Sequence, residues 1–212
     1  MLNSLGNPFS FLVFIISLLF ALSVHEAAHA WASNRLGDPT AKFAGRLTLN
    51  PLAHLDPIGT LLLFFFGFGW GKPVPIDEFN LNSPRRDVAL ISLAGPAANL
   101  ISASIISLSL WLSYHLGINN LVIGRLALEL VRLNVILGVF NLLPVYPLDG
   151  SKILVGFLPL KIAQNIDQFL KQYGILLLIF LFLPIFAGRS LIDLVIAPLA
   201  NSVLNGLLFW LT

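Results

Sequence analysis

Long apolar runs predict an all-α chain that crosses a membrane several times. A transmembrane helix needs about 20 consecutive, mostly apolar residues. Runs of this kind cover most of the sequence, and we expect about five transmembrane helices in one membrane-embedded domain, residues 1–212. The runs are residues 9–33, 87–113, 126–143, 175–187 and 191–211.

One further apolar run, residues 58–68, has only half the length of a span. Asp56 and Pro57 predict that it begins as a helix, because aspartate caps helices and proline suits their first position. The sequence GWGKPVPID at 69–77 then indicates extended or hairpin-like backbone. We therefore predict a short re-entrant helix, which requires protein or a water-filled cavity beside it.

The distribution of basic residues favours this re-entrant path. If residues 58–68 return to their starting side, all six Lys and Arg residues between 35 and 86 share that side. Three more, between 152 and 171, join them after two further crossings, whereas the opposite loop at 114–124 has neither Lys nor Arg. Because basic loops stay in the cytosol, we expect a multi-pass cell-membrane protein with its N-terminus outside.

Composition supports the membrane assignment and limits the chemistry. Of the 212 residues, 57% are hydrophobic and 10% are charged, whereas roughly a quarter are charged in soluble domains. The net charge is only +2 and no basic run is interleaved with aromatics, so nucleic acid is not an expected partner. The chain has no cysteine, so a metal site must use His, Asp or Glu.

The strongest chemical signal is HEAAH at residues 25–29. On a helix, His25 and His29 point in directions about 40° apart, so they can bind one zinc ion together. Glu26 can then act as the base toward a metal-bound water. The alternative is that both histidines are packing or interfacial residues. An apolar helix argues against this, since ionisable groups inside a membrane are costly and usually functional.

A catalytic zinc needs a third protein ligand and one open position. Asp149 lies in NLLPVYPLDG at 141–150, where Pro144 and Pro147 interrupt an apolar run. An interrupted helix lets one carboxylate turn into the bundle. The alternative is that Asp149 only caps the following helix. In combination with the HEAAH motif, the ligand interpretation is favoured.

An HExxH motif on an early membrane helix, followed by NxxPxxPLDG, resembles the site-2 protease family of intramembrane metalloproteases. Neither motif alone is highly specific, but the pair in this order is. The resemblance covers roughly residues 23–153, including AGPAAN at 94–99, and is closest to the compact bacterial branch without PDZ or CBS domains. The sequence GWGKPVPID resembles the family's re-entrant strand pair, which receives substrate.

This resemblance implies an intramembrane zinc metalloendopeptidase with one Zn2+ per chain. The family's zinc ligands correspond to His25, His29 and Asp149, and its base corresponds to Glu26. It further implies transmembrane proteins as substrates, cleaved inside the lipid bilayer. We expect the active site nearer the cytosolic side, where the basic loops lie.

Two residues are weaker candidates for binding substrate or stabilising the oxyanion. His54 can donate a hydrogen bond to either, or can be a loop histidine at the interface. Asn141 can bind the substrate backbone or the oxyanion, or can bridge two helices. Asn99 is interpreted as a packing contact between helices.

Two competing functions remain open from the sequence. A zinc-dependent transporter or metal sensor also places His and Asp inside a membrane, but residues 175–211 offer few polar groups for a pathway. An inactive relative that binds helices without cutting them is the other, and the intact Glu26 argues against it.

Overall fold

The computed structural model describes residues 7–66, 69–118, 120–184 and 188–211. In these ranges the chain is predominantly helical, and an isolated β-bridge joins Leu55 and Gly71. The all-α prediction is therefore confirmed for the described residues. The α-helices are α1 (Pro8–Arg35), α2 (Thr40–Phe43), α3 (Pro57–Phe66), α4 (Pro84–His115), α5 (Leu121–Asn141), α6 (Asp149–Phe157), α7 (Leu160–Phe182) and α8 (Ala197–Leu207).

Shorter helical turns connect these elements. A π-helical turn at Ile192–Ile196 leads directly into α8. Turns of 3-10 helix occupy Pro51–Ala53, Glu78–Asn80 and Phe209–Leu211.

Two helices are long and apolar enough to cross a membrane, namely α1 with 28 residues and α4 with 32. The other long helices, α5 and α7, each carry several charged residues along their length. The count of about five spans and the re-entrant path of α3 therefore stay predictions. The ends of two predicted runs, 67–68 and 185–187, lie outside the described residues.

Polar residues set helix boundaries that the apolar runs alone did not predict. The side chain of Asn7 accepts hydrogen bonds from two backbone N–H groups of the first turn, at 3.0 and 3.4 Å, so α1 begins at Pro8. Asn120 caps α5 in the same way, and that helix begins at Leu121, five residues before the predicted position. In α7, an amphipathic segment from Leu160 precedes the apolar run that was predicted from residue 175.

The central element is α4, which packs against α1, α5 and α6. Gly156 allows α6 to approach closely, because a Cβ at this position would lie 2.2 Å from the Cβ of Ala89 on α4. At the other end of α4, small and branched apolar side chains form a buried cluster with α5 and α8. This cluster consists of Ala103, Val131, Val135 and Ala200.

The segment 69–77 has the extended backbone that its glycines and prolines predict. It has no regular secondary structure, and the N–H of Lys72 donates to the carbonyl of His54 at 2.8 Å. Val74 and Ile76 are half-buried while Pro73 and Pro75 are exposed. This alternation is that of a strand with one face against the protein.

Candidate metal centre

Two buried imidazoles of α1 face the same point. His25 and His29 are 4% and 8% exposed, and their rings meet edge to face with centroids 4.6 Å apart. Their Nε2 atoms are 3.0 Å apart. The helical spacing of four residues therefore brings both nitrogens together, as the sequence predicts.

The carboxylate of Asp149 reaches the same point from α6. Its Oδ2 atom lies 3.0 Å from Nε2 of His25 and 3.2 Å from Nε2 of His29. Asp149 is the first residue of α6, following the proline-containing turn, and α6 has no side-chain capping hydrogen bond at its start. The side chain is thus directed into the bundle rather than used as a helix cap.

The spacing of these three atoms fits a zinc ion. Zinc binds imidazole nitrogen and carboxylate oxygen at about 2.0–2.2 Å, so tetrahedral ligand atoms lie about 3.3 Å from one another. The observed separations of 3.0, 3.0 and 3.2 Å are close to that value. Among the described residues, this group is the one cluster of His, Asp and Glu with metal-binding geometry.

Hydrogen bonds on the far side of His25 fix which nitrogen faces the centre. Its Nδ1 lies 2.6 Å from Oδ1 of Asn99. The amide nitrogen of Asn99 donates to the carbonyl of Ala21 and to Oδ1 of Asn134, each at 2.9 Å. Because two acceptors hold that nitrogen, the amide oxygen must face His25. Nδ1 of His25 therefore carries the proton, and Nε2 is left with a lone pair for a metal.

His29 is held in the equivalent tautomer. Its Nδ1 donates to the backbone carbonyl of Ile91 at 2.7 Å. In the neutral imidazoles, two nitrogen lone pairs and an anionic oxygen thus meet in one buried place. Such an arrangement of acceptors favours a cation between them.

One face of α1 and one face of α4 meet at this centre. Ala21, His25 and His29 follow one another at intervals of four residues on α1, and so do Ile91, Gly95 and Asn99 on α4. Residues at this spacing lie on one face of a helix. Asn99 contacts Ala21 and His25, whereas Ile91 contacts His29. The two helices therefore run antiparallel.

Gly95 lies directly beneath the imidazoles. A Cβ at Gly95 would be 2.5 Å from both Cε1 and Nε2 of His29 and 2.7 Å from Cε1 of His25. Ordinary carbon contacts begin near 3.5 Å. The absence of a side chain at residue 95 therefore makes room for both rings.

Glu26 is near the centre but outside the ligand group. Its side chain is partly exposed, and it interacts electrostatically with His29 and with Arg46. In the described part of the chain, its carboxylate has no hydrogen-bond partner. A free carboxylate beside the cluster fits the base predicted for this residue.

The two weaker candidates lie outside the ligand cluster, and their roles stay predictions. His54 is fully buried, and its Nε2 is 2.8 Å from the carbonyl of Thr48. Its Nδ1 is buried and has no partner in the described residues. Asn141 donates from its amide nitrogen to the carbonyl of Leu137 at 3.0 Å. That bond leaves the second N–H of the amide for another acceptor.

Sequence reasoning missed the residues that orient the imidazoles. The sequence favours a packing contact between helices for Asn99, and it contains no specific signal for Asn134 or for the carbonyl of Ile91. A buried amide in an apolar helix does need partners, which is a signal that something polar faces it. That signal does not say which partner, because only the packing of α4 against α1 and α5 brings these groups together.

The comparisons with known proteins indicate a zinc metalloprotease. No family model and no solved structure matches the chain. A Bacillus subtilis protein named "Putative zinc metalloprotease YwhC" is 39% identical over 173 residues, covering 79% of this chain and 78% of that protein. The Mycobacterium tuberculosis "Putative zinc metalloprotease Rip2" is 30% identical over 207 residues, covering 95% of this chain and 73% of that protein.

A more distant relative is the "Zinc metalloprotease MJ0392" of Methanocaldococcus jannaschii. It is 26% identical over 187 residues, covering 84% of this chain and 45% of that protein. The relatives and the buried His and Asp group together define a metalloprotease whose cofactor is Zn2+, and two of its helices are long and apolar enough to cross a membrane. The chain belongs to the site-2 protease family, as its paired motifs predict.

Proposed function

We propose that this metalloprotease hydrolyses peptide bonds in or near the transmembrane segments of other membrane proteins. The observation that carries the proposal is the meeting of His25, His29 and Asp149 in a buried place, with the carboxylate of Glu26 close enough to interact electrostatically with His29. A polar centre of this kind is expensive within an apolar bundle, and it is retained where it performs chemistry.

His25, His29 and Asp149 would hold one zinc ion and leave one position open. Bound there, Zn2+ lowers the pKa of a water molecule and polarises the scissile carbonyl. Asn99 and Ile91 keep both imidazoles in the tautomer that presents Nε2 to the metal.

Glu26 accepts a proton from the attacking water as the water oxygen bonds to the scissile carbonyl carbon. It then gives that proton to the leaving amine as the C–N bond breaks. We propose that Asn141 or His54 contributes a donor to the oxyanion. For His54 this requires the doubly protonated ring, since Nε2 already donates to the carbonyl of Thr48 and a neutral imidazole has no second N–H.

The surroundings of the centre support the proposed substrate class. A transmembrane helix hides its amides in internal hydrogen bonds, so it must unwind before a base or a metal can reach one. In the extended segment 72–77, the backbone groups of Val74 have no partner among the described residues. These groups support pairing with an unwound substrate by strand addition.

The remaining parts of the proposal concern the membrane. We propose a multi-pass protein of the cell membrane, one domain over residues 1–212, with the metal centre nearer the cytosolic side and the N-terminus outside. The charge asymmetry of the loops supports this orientation. The length and apolar character of α1 and α4 support insertion in the bilayer.

Glu26→Gln tests the proposal directly. The purified chain is placed in lipid vesicles with a single-pass membrane protein as substrate, and both cleavage and zinc per chain are measured. We expect the variant to keep its zinc and to lose cleavage by at least about 100-fold, because the base is removed and the ligands are not. Glu129→Gln is the matched control, since Glu129 pairs with Arg132 on α5.

Cleavage that persists in Glu26→Gln would refute the assigned base. Zinc transport into the vesicles, equal in both proteins and without any cleavage, would instead support the transporter alternative.

A further inference from the structure

Two buried charged side chains of the loop after α1 hold the extended segment 72–77 at its ends. At one end, Nη2 of Arg46 donates to the backbone carbonyl of Lys72. At the other end, Oδ2 of Asp38 accepts from the backbone N–H of Asp77 at 2.9 Å. Arg46 is only 4% exposed and Asp38 is fully buried. Both contacts are to backbone atoms, so they fix the path of the segment rather than a particular side chain.

Asp38 joins this segment to the end of α1. Its carboxylate also accepts from Oγ of Ser33 at 2.9 Å, from the N–H of Thr40 at 3.0 Å and from the side-chain amide of Asn80 at 3.1 Å. Burial alone would raise the pKa of the Asp38 carboxyl. The hydrogen bonds from Thr40, Asp77 and Asn80 outweigh burial and hold that pKa well below its ordinary value.

Arg46 has donor capacity that the fold does not use. Its Nε is buried without a partner in the described residues. The guanidinium interacts electrostatically with Glu26 but forms no direct ion pair with it. Burying a cation with an unused N–H donor costs free energy. Holding the carbonyl of Lys72 does not by itself require a guanidinium so close to the proposed base, Glu26.

The segment is also linked to the metal centre by packing. Ile76 packs against a buried cluster that contains Ala32, Leu81 and Ile91. The carbonyl of Ile91 is the group that accepts from Nδ1 of His29. Ile91 thus belongs to the cluster that the segment packs against and also holds one imidazole of the metal centre.

We infer that Asp38 and Arg46 are positioning residues that hold segment 72–77 in place to pair with substrate beside the metal centre. This inference rests on the proposed function, since it assigns the segment to substrate. The two residues contribute nothing to the ligand cluster itself, so their loss weakens substrate binding more than metal binding.

The kinetic test uses the zinc-loaded full chain in lipid vesicles with the same single-pass substrate. Arg46→Met keeps the side-chain length without a donor, Asp38→Asn removes the anion, and Arg86→Met at an exposed position is the control. We expect both loop variants to retain zinc and to raise KM about tenfold, with a smaller change in kcat. Arg46→Lys, which restores a cation and a donor, should recover part of the loss.

A second measurement does not depend on cleavage. The chain has no cysteine, so a single Val74→Cys substitution reports on the segment through its rate of labelling by a maleimide. In the Glu26→Gln background, we expect Arg46→Met and Asp38→Asn to raise that rate about tenfold, because the half-buried position opens more often.

An unchanged labelling rate in both variants would overturn the inference. A loss of zinc together with the loss of activity would also overturn it, because that result would indicate a general structural role for Asp38 and Arg46. Failure of the proposed function is recognised separately. It would appear as wild-type protein that cuts nothing, whereas the labelling rates would still decide whether Asp38 and Arg46 hold the segment.

Discussion

Gly95→Ala is the sharpest test of how the metal centre is built. The added Cβ would lie 2.5 Å from Cε1 and Nε2 of His29 and 2.7 Å from Cε1 of His25. Restoring an ordinary carbon contact requires a displacement of about 1 Å. The rings cannot simply rotate away, because Nδ1 of each is held, by Asn99 for His25 and by Ile91 for His29.

The clash can be relieved in two ways, and both weaken zinc binding. If the imidazoles move, the ligand atoms leave the narrow range of distances that zinc accepts, which is about 0.2 Å wide on either side. If α4 moves away from α1 instead, the overpacking costs roughly 1–3 kcal/mol and stretches the bonds to Asn99 and Ile91. We expect zinc affinity to fall about 10- to 100-fold, measured by competition with a chelator, and cleavage to fall with it.

Gly124→Ala on α5 is the matched control. Apart from the backbone of its own helix, no atom of the described residues lies within 4 Å of a Cβ built at Gly124. Alanine there gains roughly 0.5–1 kcal/mol of helix stability over glycine. The same gain applies at Gly95, so the difference between the two variants isolates the contact with the imidazoles. Full zinc affinity in Gly95→Ala would refute the placement of these rings against α4.

Two further predictions concern carboxylates. Asp149→Asn should lower zinc occupancy, since it removes the anionic ligand while keeping the shape of the side chain. Metal analysis measures this beside the control Asp167→Asn, whose carboxylate is partly exposed and pairs with Lys171. Full zinc occupancy in Asp149→Asn would place the third ligand elsewhere. Wild type should be more stable to unfolding than Asp38→Asn, with the full difference present above about pH 5. The difference should shrink as the pH falls below about 3.9, because the pKa of Asp38 is depressed in the folded protein and its carboxylate is protonated first in the unfolded chain. Thermal unfolding of both proteins across this pH range measures the difference, and a constant difference would contradict the role of the anion.

The sequence predicted the parts of the site that depend on local geometry. The spacing of His25 and His29 follows from the pitch of one helix, so their convergence could be calculated without coordinates. The proline-containing turn before Asp149 likewise suggested that a carboxylate could turn inward. These are short-range consequences of the chain, and the structure brings the three groups together as expected.

The parts that were missed depend on how distant segments meet. Arg46 was counted among the basic residues of a cytosolic loop, yet it is buried against the carbonyl of Lys72. Asn99 was interpreted as a helix contact, yet its amide orients His25. Apolar runs also misjudged the start of α7, because an amphipathic segment with charged side chains continues the same helix toward its N-terminus. Composition cannot distinguish an exposed charge from one that a loop encloses.

The register between α1 and α4 is what specifies the metal centre. Three residues of α4, each one helical turn further along, contact the imidazoles of α1. Ile91 contacts His29, Gly95 lies against both rings, and Asn99 contacts His25. A shift of one turn would place the amide opposite His29 and would put a side chain where the rings now have room. The small-residue motif at 94–99 therefore acts on the chemistry as well as on the packing, because it allows a register in which both Nε2 atoms point at the carboxylate of Asp149. Substitutions along this face of α4 should consequently resemble ligand substitutions in their effect on zinc, although none of its side chains would touch the metal.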